Sequence, residues 1–149
     1  MSKQADRMMT ESWGDTAVSG LLAGIVAGVV MAGFLIAAGF AGGGTVAEAL
    51  SRFGAGEGTS PLGGLLTHLA VSGVYGIVWA NLLCIVRRLI LAPAWLVGLA
   101  YGLLLFLVAQ GIFLVNPTLL TGIPPLQFLI AHGVYGLTLG LSMRRKDRS

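Results

Sequence analysis

Charge is scarce in this sequence: of 149 residues, 9 are Lys or Arg and 6 are Asp or Glu, 10% in all. A soluble domain carries about 25%, so the chain is built for a solvent other than water. None of its long apolar stretches holds a carboxylate. That removes paired-carboxylate acid–base chemistry and the intramembrane acid that proton-coupled carriers normally use. Cysteine occurs once, at Cys84, which excludes an intrachain disulfide; in its apolar run it reads as a small packing hydrophobe. A Ser–His–Asp set, a thiol beside a base and a strand-preceded glycine loop are all missing, so the chain is expected not to be an enzyme. No short apolar leader with a cleavage site precedes the first apolar stretch, which is expected to stay in the membrane.

Hydrophobic residues make up 56% of the chain, and 23 residues are glycine. Four apolar stretches, at about 17–41, 62–86, 92–115 and 125–143, are each long enough to cross roughly 30 Å of hydrocarbon at about 1.5 Å per residue. The expected fold is all-α: a single membrane domain over 1–149, a bundle of four transmembrane helices. Asp15 is placed to cap the first helix, Trp13 and Trp95 to anchor at the headgroups, and Pro61 and Pro125 to open later spans. Thr45-Val-Ala-Glu48 is a capping-box pattern. It predicts a short amphipathic outer helix over about 45–53, with Val46, Leu50 and Phe53 on one face.

Basic residues are unevenly placed. Lys3, Arg7, Arg87, Arg88, Arg144, Arg145, Lys146 and Arg148 fall on one side of a four-span topology, and Arg52 alone on the other. The positive-inside rule puts both termini in the cytoplasm. The basic tail reads as a topology signal and lipid anchor, with no nucleic-acid partner.

Small residues recur at four-residue spacing: Gly20, Gly24 and Gly28; Ser72, Gly76 and Ala80 after His68; Gly98 and Gly102; Gly136 and Gly140 after His132. Positions i, i+4 and i+8 share a helix face, and in lipid a small-residue face is a packing face. The halves also resemble each other. Gly20, Gly24 and Gly33 match Gly98, Gly102 and Gly111 at an offset of 78, and His68 matches His132 at an offset of 64. Two tandem two-helix repeats are expected, related by an axis near the membrane normal.

His68, His132 and Gln110 each lie seven residues from a proline at the outer end of a span. That places them in one layer roughly 10 Å deep. Three readings follow. The three side chains satisfy one another across helices; or His68 and His132, on diagonal spans, clamp the iron of a b-type haem, the only metal the sequence accommodates; or the layer lines a quinone or lipid site. Asn81 and Thr138, deeper, are expected to bond a neighbouring helix or their own backbone.

The glycine-spaced first helix GLLAGIVAGVVMAG, with later helices carrying His followed by spaced small residues, resembles the YagU-like group of small bacterial inner-membrane proteins. The resemblance implies a four-helix protein of the bacterial cytoplasmic membrane and supplies no chemistry. The expected function is that of a non-catalytic accessory subunit of a larger respiratory or photosynthetic-type complex, with other integral subunits, lipid and further copies of itself as partners. The alternatives are a small b-type cytochrome, or a small transporter or quinone- or lipid-binding protein.

Overall fold

The computed structural model describes residues 13–54, 58–89, 92–115 and 122–143. Expectations for the lead-in before Trp13, for the loop 116–121 and for the tail after Met143 lie outside the described residues, as do those for the side chains of Trp13, Cys84, Arg87 and Arg88. All regular structure among the described residues is helical: α1 (Trp13–Ala41), α2 (Val46–Ser51), α3 (Pro61–Leu89), α4 (Ala94–Val115) and α5 (Pro125–Ser142). Three of them, α1, α3 and α4, are long and apolar enough to cross a membrane. The fourth, α5, has 18 residues and is diluted by Gln127, His132 and Thr138.

The helix ends follow from local chemistry. α1 stops at a Schellman motif: Gly44 N–H donates to Gly39 O at 3.0 Å, Gly43 N–H donates to Phe40 O at 2.9 Å, and Gly43 takes φ +84°. The capping box of α2 forms as expected, with Glu48 N–H donating to Thr45 Oγ1 at 3.2 Å and Thr45 N–H to Glu48 Oε2 at 2.8 Å. Pro61 opens α3 behind Ser60, whose Oγ accepts from Gly63 N–H at 3.1 Å. Asp15 sits inside the first turn of α1 rather than before it, so it is not the cap. On α2 the buried residue is Ala49, while Val46 is 48% exposed; packing onto α3 turns that face away from Val46.

Two glycine crossings hold the bundle. On α1, a Cβ added at Gly24 would meet Ser72 O and would lie 2.8 Å from the Cα of Gly76. One added at Gly20 would lie 2.7 Å from the Cβ of Ala80. On α4, a Cβ at Gly102 would meet His132 O and would lie 3.1 Å from the Cα of Gly136, and one at Gly98 would lie 2.8 Å from the Cα of Gly140. Backbones approach so closely only where no side chain intervenes. Equivalent contacts fall at an offset of 78 between α1 and α4 and of 60 between α3 and α5. His132 therefore stands where α3 has Ser72, one helical turn from the place that the offset of 64 gives it.

α1 also packs along α5, and α2 bridges α1 and α3. Among the described residues α3 and α4 are not closely packed backbone to backbone. At the crossing end the interior is solid: Ala27, Trp79 and Leu139 are fully buried, and Tyr101 stacks on Trp79 with ring centroids 5.2 Å apart. Helices that touch at one point diverge away from it. Toward α2 the bundle is hollow. The outward faces carry Val18, Leu22, Val26, Leu104 and Leu107, all exposed, as lipid-facing surfaces do.

Candidate functional site

The hollow end encloses a cavity of about 220 Å³. Leu35 from α1, Leu105 and Phe113 from α4, and Phe128 from α5 give it apolar walls. His68, Ser72 and Tyr75 reach it from α3, and His132 and Tyr135 from α5. Exposed Thr67, Val71 and Arg52 border it, so it reaches the outer surface of the bundle.

The two histidines are held differently. The His68 ring donates from Nε2 to Gly28 O, 3.0 Å away on the neighbouring helix, and stacks on Phe53 at 4.8 Å. His132 donates from Nδ1 to Phe128 O of its own helix at 2.9 Å, with the Phe128 ring edge-on at 4.3 Å. Sequence explains the difference. At the offset of 78, Gly28 of α1 becomes Phe106 of α4, and the Phe106 ring stands 6.0 Å from His132. At the offset of 60, however, His132 takes the place of Ser72 and Phe128 the place of His68, so His132 lies one turn nearer the glycine crossing than His68 does and bonds its own helix. A carbonyl only accepts, so each bonded nitrogen carries the hydrogen. In the neutral rings, His68 Nδ1 and His132 Nε2 keep a lone pair.

Two tyrosines tie the helices together beside the cavity. Tyr135 Oη donates to Ser72 O at 2.6 Å, and Tyr101 Oη donates to Tyr75 O at 2.9 Å. Each uses the second lone pair of a helical carbonyl, so α3 is tied to both α4 and α5.

Of the expected site residues, the structure brings His68 and His132 to one cavity and does not bring Gln110 there. Leu105, Ala109 and Phe113 are the α4 residues on that face, and Gln110 is turned about 100° past Ala109. Asn81 and Thr138 bond their own helices, to Ile77 O and Val134 O, both at 2.8 Å. Tyr75 and Tyr135, which line the cavity, stand outside the expected set. Their signal was present in the repeated GVYG at Gly73–Gly76 and Gly133–Gly136.

Among the described residues no three His, Cys, Asp or Glu side chains gather to hold a metal ion. A haem does not fit the cavity as it stands. Sites for drug-sized ligands occupy about 300–1,000 Å³, a tetrapyrrole needs more than the small end of that range, and the volume here is about 220 Å³. Comparison with family models, curated proteins and solved structures gave no match.

Proposed function

We propose that this chain is a non-catalytic integral membrane protein that holds a small lipid-soluble molecule in its histidine-lined cavity. The observation that carries this reading is the meeting of His68, His132, Tyr75 and Tyr135, from two helices, in one otherwise apolar chamber. Few polar groups converging in an apolar concavity are the usual mark of a ligand site. The reading belongs with a four-span bundle in a bacterial cytoplasmic membrane, both termini inside, as the YagU-like resemblance implies. α5 lies along α4 from Ala94 to Phe113, which supports its crossing beside it. The two crossings, alike at offsets of 78 and 60, support descent of the halves from one helix pair.

A second reading, as accessory subunit of a larger complex, has its own observation. Gly33 and Gly111, matched at the offset of 78, are exposed with nothing within 4 Å of an added Cβ. Glycines on lipid-facing surface suit docking of further helices, from another subunit or another copy.

Ala109 lines the chamber, and Ala109→Trp fills it. Protein purified gently from its native membrane should release a lipid-soluble molecule in near-stoichiometric amount on solvent extraction and mass spectrometry, and the Trp variant should not. Identical extracts from both would sink the binding reading.

A further inference from the structure

We infer that the cavity takes a ligand whose head is a single hydroxyl-bearing aromatic ring, of the phenol or hydroquinone class, and discriminates against the same ring with its oxygens methylated or oxidised to carbonyls. The inference rests on the binding reading above and adds the ligand's chemistry.

Size comes first. A protein cavity of about 150 Å³ holds benzene, so about 220 Å³ has room for one substituted ring, with any longer tail leaving by the open rim. Shape agrees, because Phe53, Phe113 and Phe128 supply flat apolar surface around the two imidazoles.

Hydrogen-bond inventory then sets polarity. Both imidazoles spend their only N–H on backbone carbonyls, Gly28 O and Phe128 O, and so offer acceptors to the cavity. The Tyr135 hydroxyl spends its hydrogen on Ser72 O and likewise keeps only lone pairs. The hydroxyls of Thr67, Ser72 and Tyr75 can turn either way. Three of the fixed polar groups therefore wait for a hydrogen that the ligand must bring. A quinone carbonyl or an ether oxygen can pair with none of these three and finds donors only in the Thr67, Ser72 and Tyr75 hydroxyls, so binding it leaves three acceptors without a hydrogen where a ligand hydroxyl would satisfy one. Among the described lining residues the one Lys or Arg is Arg52, and it stands at the exposed rim rather than among the imidazoles.

The test compares 4-pentylphenol with 4-pentylanisole, which differ by one methyl group on the oxygen. Both are titrated against the full-length protein in phosphatidylcholine nanodiscs. Saturable binding is taken as the excess over Ala109→Trp nanodiscs, which removes partition into lipid. The phenol should bind about tenfold more tightly than its ether, the size of one good hydrogen bond in a buried site. His132→Phe and His68→Phe keep an aromatic ring and remove an acceptor; each should lower phenol affinity severalfold and leave the ether unchanged. Equal affinity for the two probes in the wild-type protein would overturn the hydroxyl preference while the cavity stands as a binding site. Absence of saturable binding for both would overturn the site itself. The wild-type ratio decides between these without relying on either histidine variant to fold, and empty nanodiscs give the partition background independently of Ala109→Trp.

Discussion

The crossing of α1 with α3 and the crossing of α4 with α5 are nearly superimposable in their contacts and differ at the next turn. Both bring glycine backbones together, Gly24 on Gly76 and Gly102 on Gly136. One turn on, α1 has Gly28 and α4 has Phe106. In the first pair the bare backbone lets a histidine reach across and bond the neighbouring helix. In the second, Phe106 and Phe128 stand in the places of Gly28 and His68, while His132, in the place of Ser72, bonds its own helix. Two changes, Gly28 to Phe106 and His68 to Phe128, thus put an aromatic wall where the first pair has an interhelical hydrogen bond, and the chamber receives its two imidazoles from different turns of their helices.

The largest effect should come from breaking both crossings alike. Gly24→Leu and Gly102→Leu drive a side chain into opposing backbone, and each should abolish stable assembly in mild detergent, seen as aggregation on size-exclusion chromatography. Gly33→Leu and Gly111→Leu, with open space around them, should leave the monomer intact. Normal assembly of the first two variants would show that the glycines are not what holds the pairs.

A smaller effect should separate the histidines. His68→Ala removes a bond between helices, and bonds of that kind contribute about 0.6–2 kcal/mol in membranes. Unfolding measured by steric trapping should show a loss of about 1 kcal/mol. His132→Ala removes a bond confined to α5 and should cost less. A larger loss for His132 would reverse the comparison.

The smallest effect concerns α2, which the first pair has and the second lacks among the described residues. The Glu48 carboxyl is held below its ordinary value chiefly by the hydrogen bond from Thr45 N–H, then by that of the Thr45 hydroxyl and by Arg52 nearby. A depressed carboxyl pKa stabilises the fold above the ordinary glutamate value, and that stabilisation drains away as pH falls through the folded value. Acidification below about pH 4 should therefore fray α2, reported by a spin label at Ser51, and leave the glycine crossings unchanged. Glu48→Gln should fray it already at neutral pH. A label insensitive to both would show that the capping box does not hold α2.

Element boundaries and packing faces were readable because helix period, caps and glycine spacing are local properties. The capping box at Thr45 and the proline starts at Pro61 and Pro125 are of this kind. The register between halves was harder for a physical reason. A ladder of small residues spaced by four looks the same after a shift of four, so His68 could be matched to His132 with the glycines still in step. Only the tyrosines of the two GVYG segments distinguish an offset of 60 from one of 64. Gln110 failed differently. Counting residues from a helix end gives depth, but rotation about the axis decides which depths share a face, and Ala109 took the place.

The tyrosine bonds to Ser72 O and Tyr75 O fall on consecutive turns of α3 and mark where the hollow end meets the solid one. Above them α3 flanks a void and is held by the His68 bond to Gly28 O and by α2, contacts that can give without disturbing Trp79 or Leu139. Below them no turn can open unless several buried rings move together. Local opening and global unfolding should thus divide one helix between two clocks: hydrogen exchange is expected to reach amides before Ser72 through brief local excursions, and those between Gly76 and Leu83 only when the whole bundle comes apart.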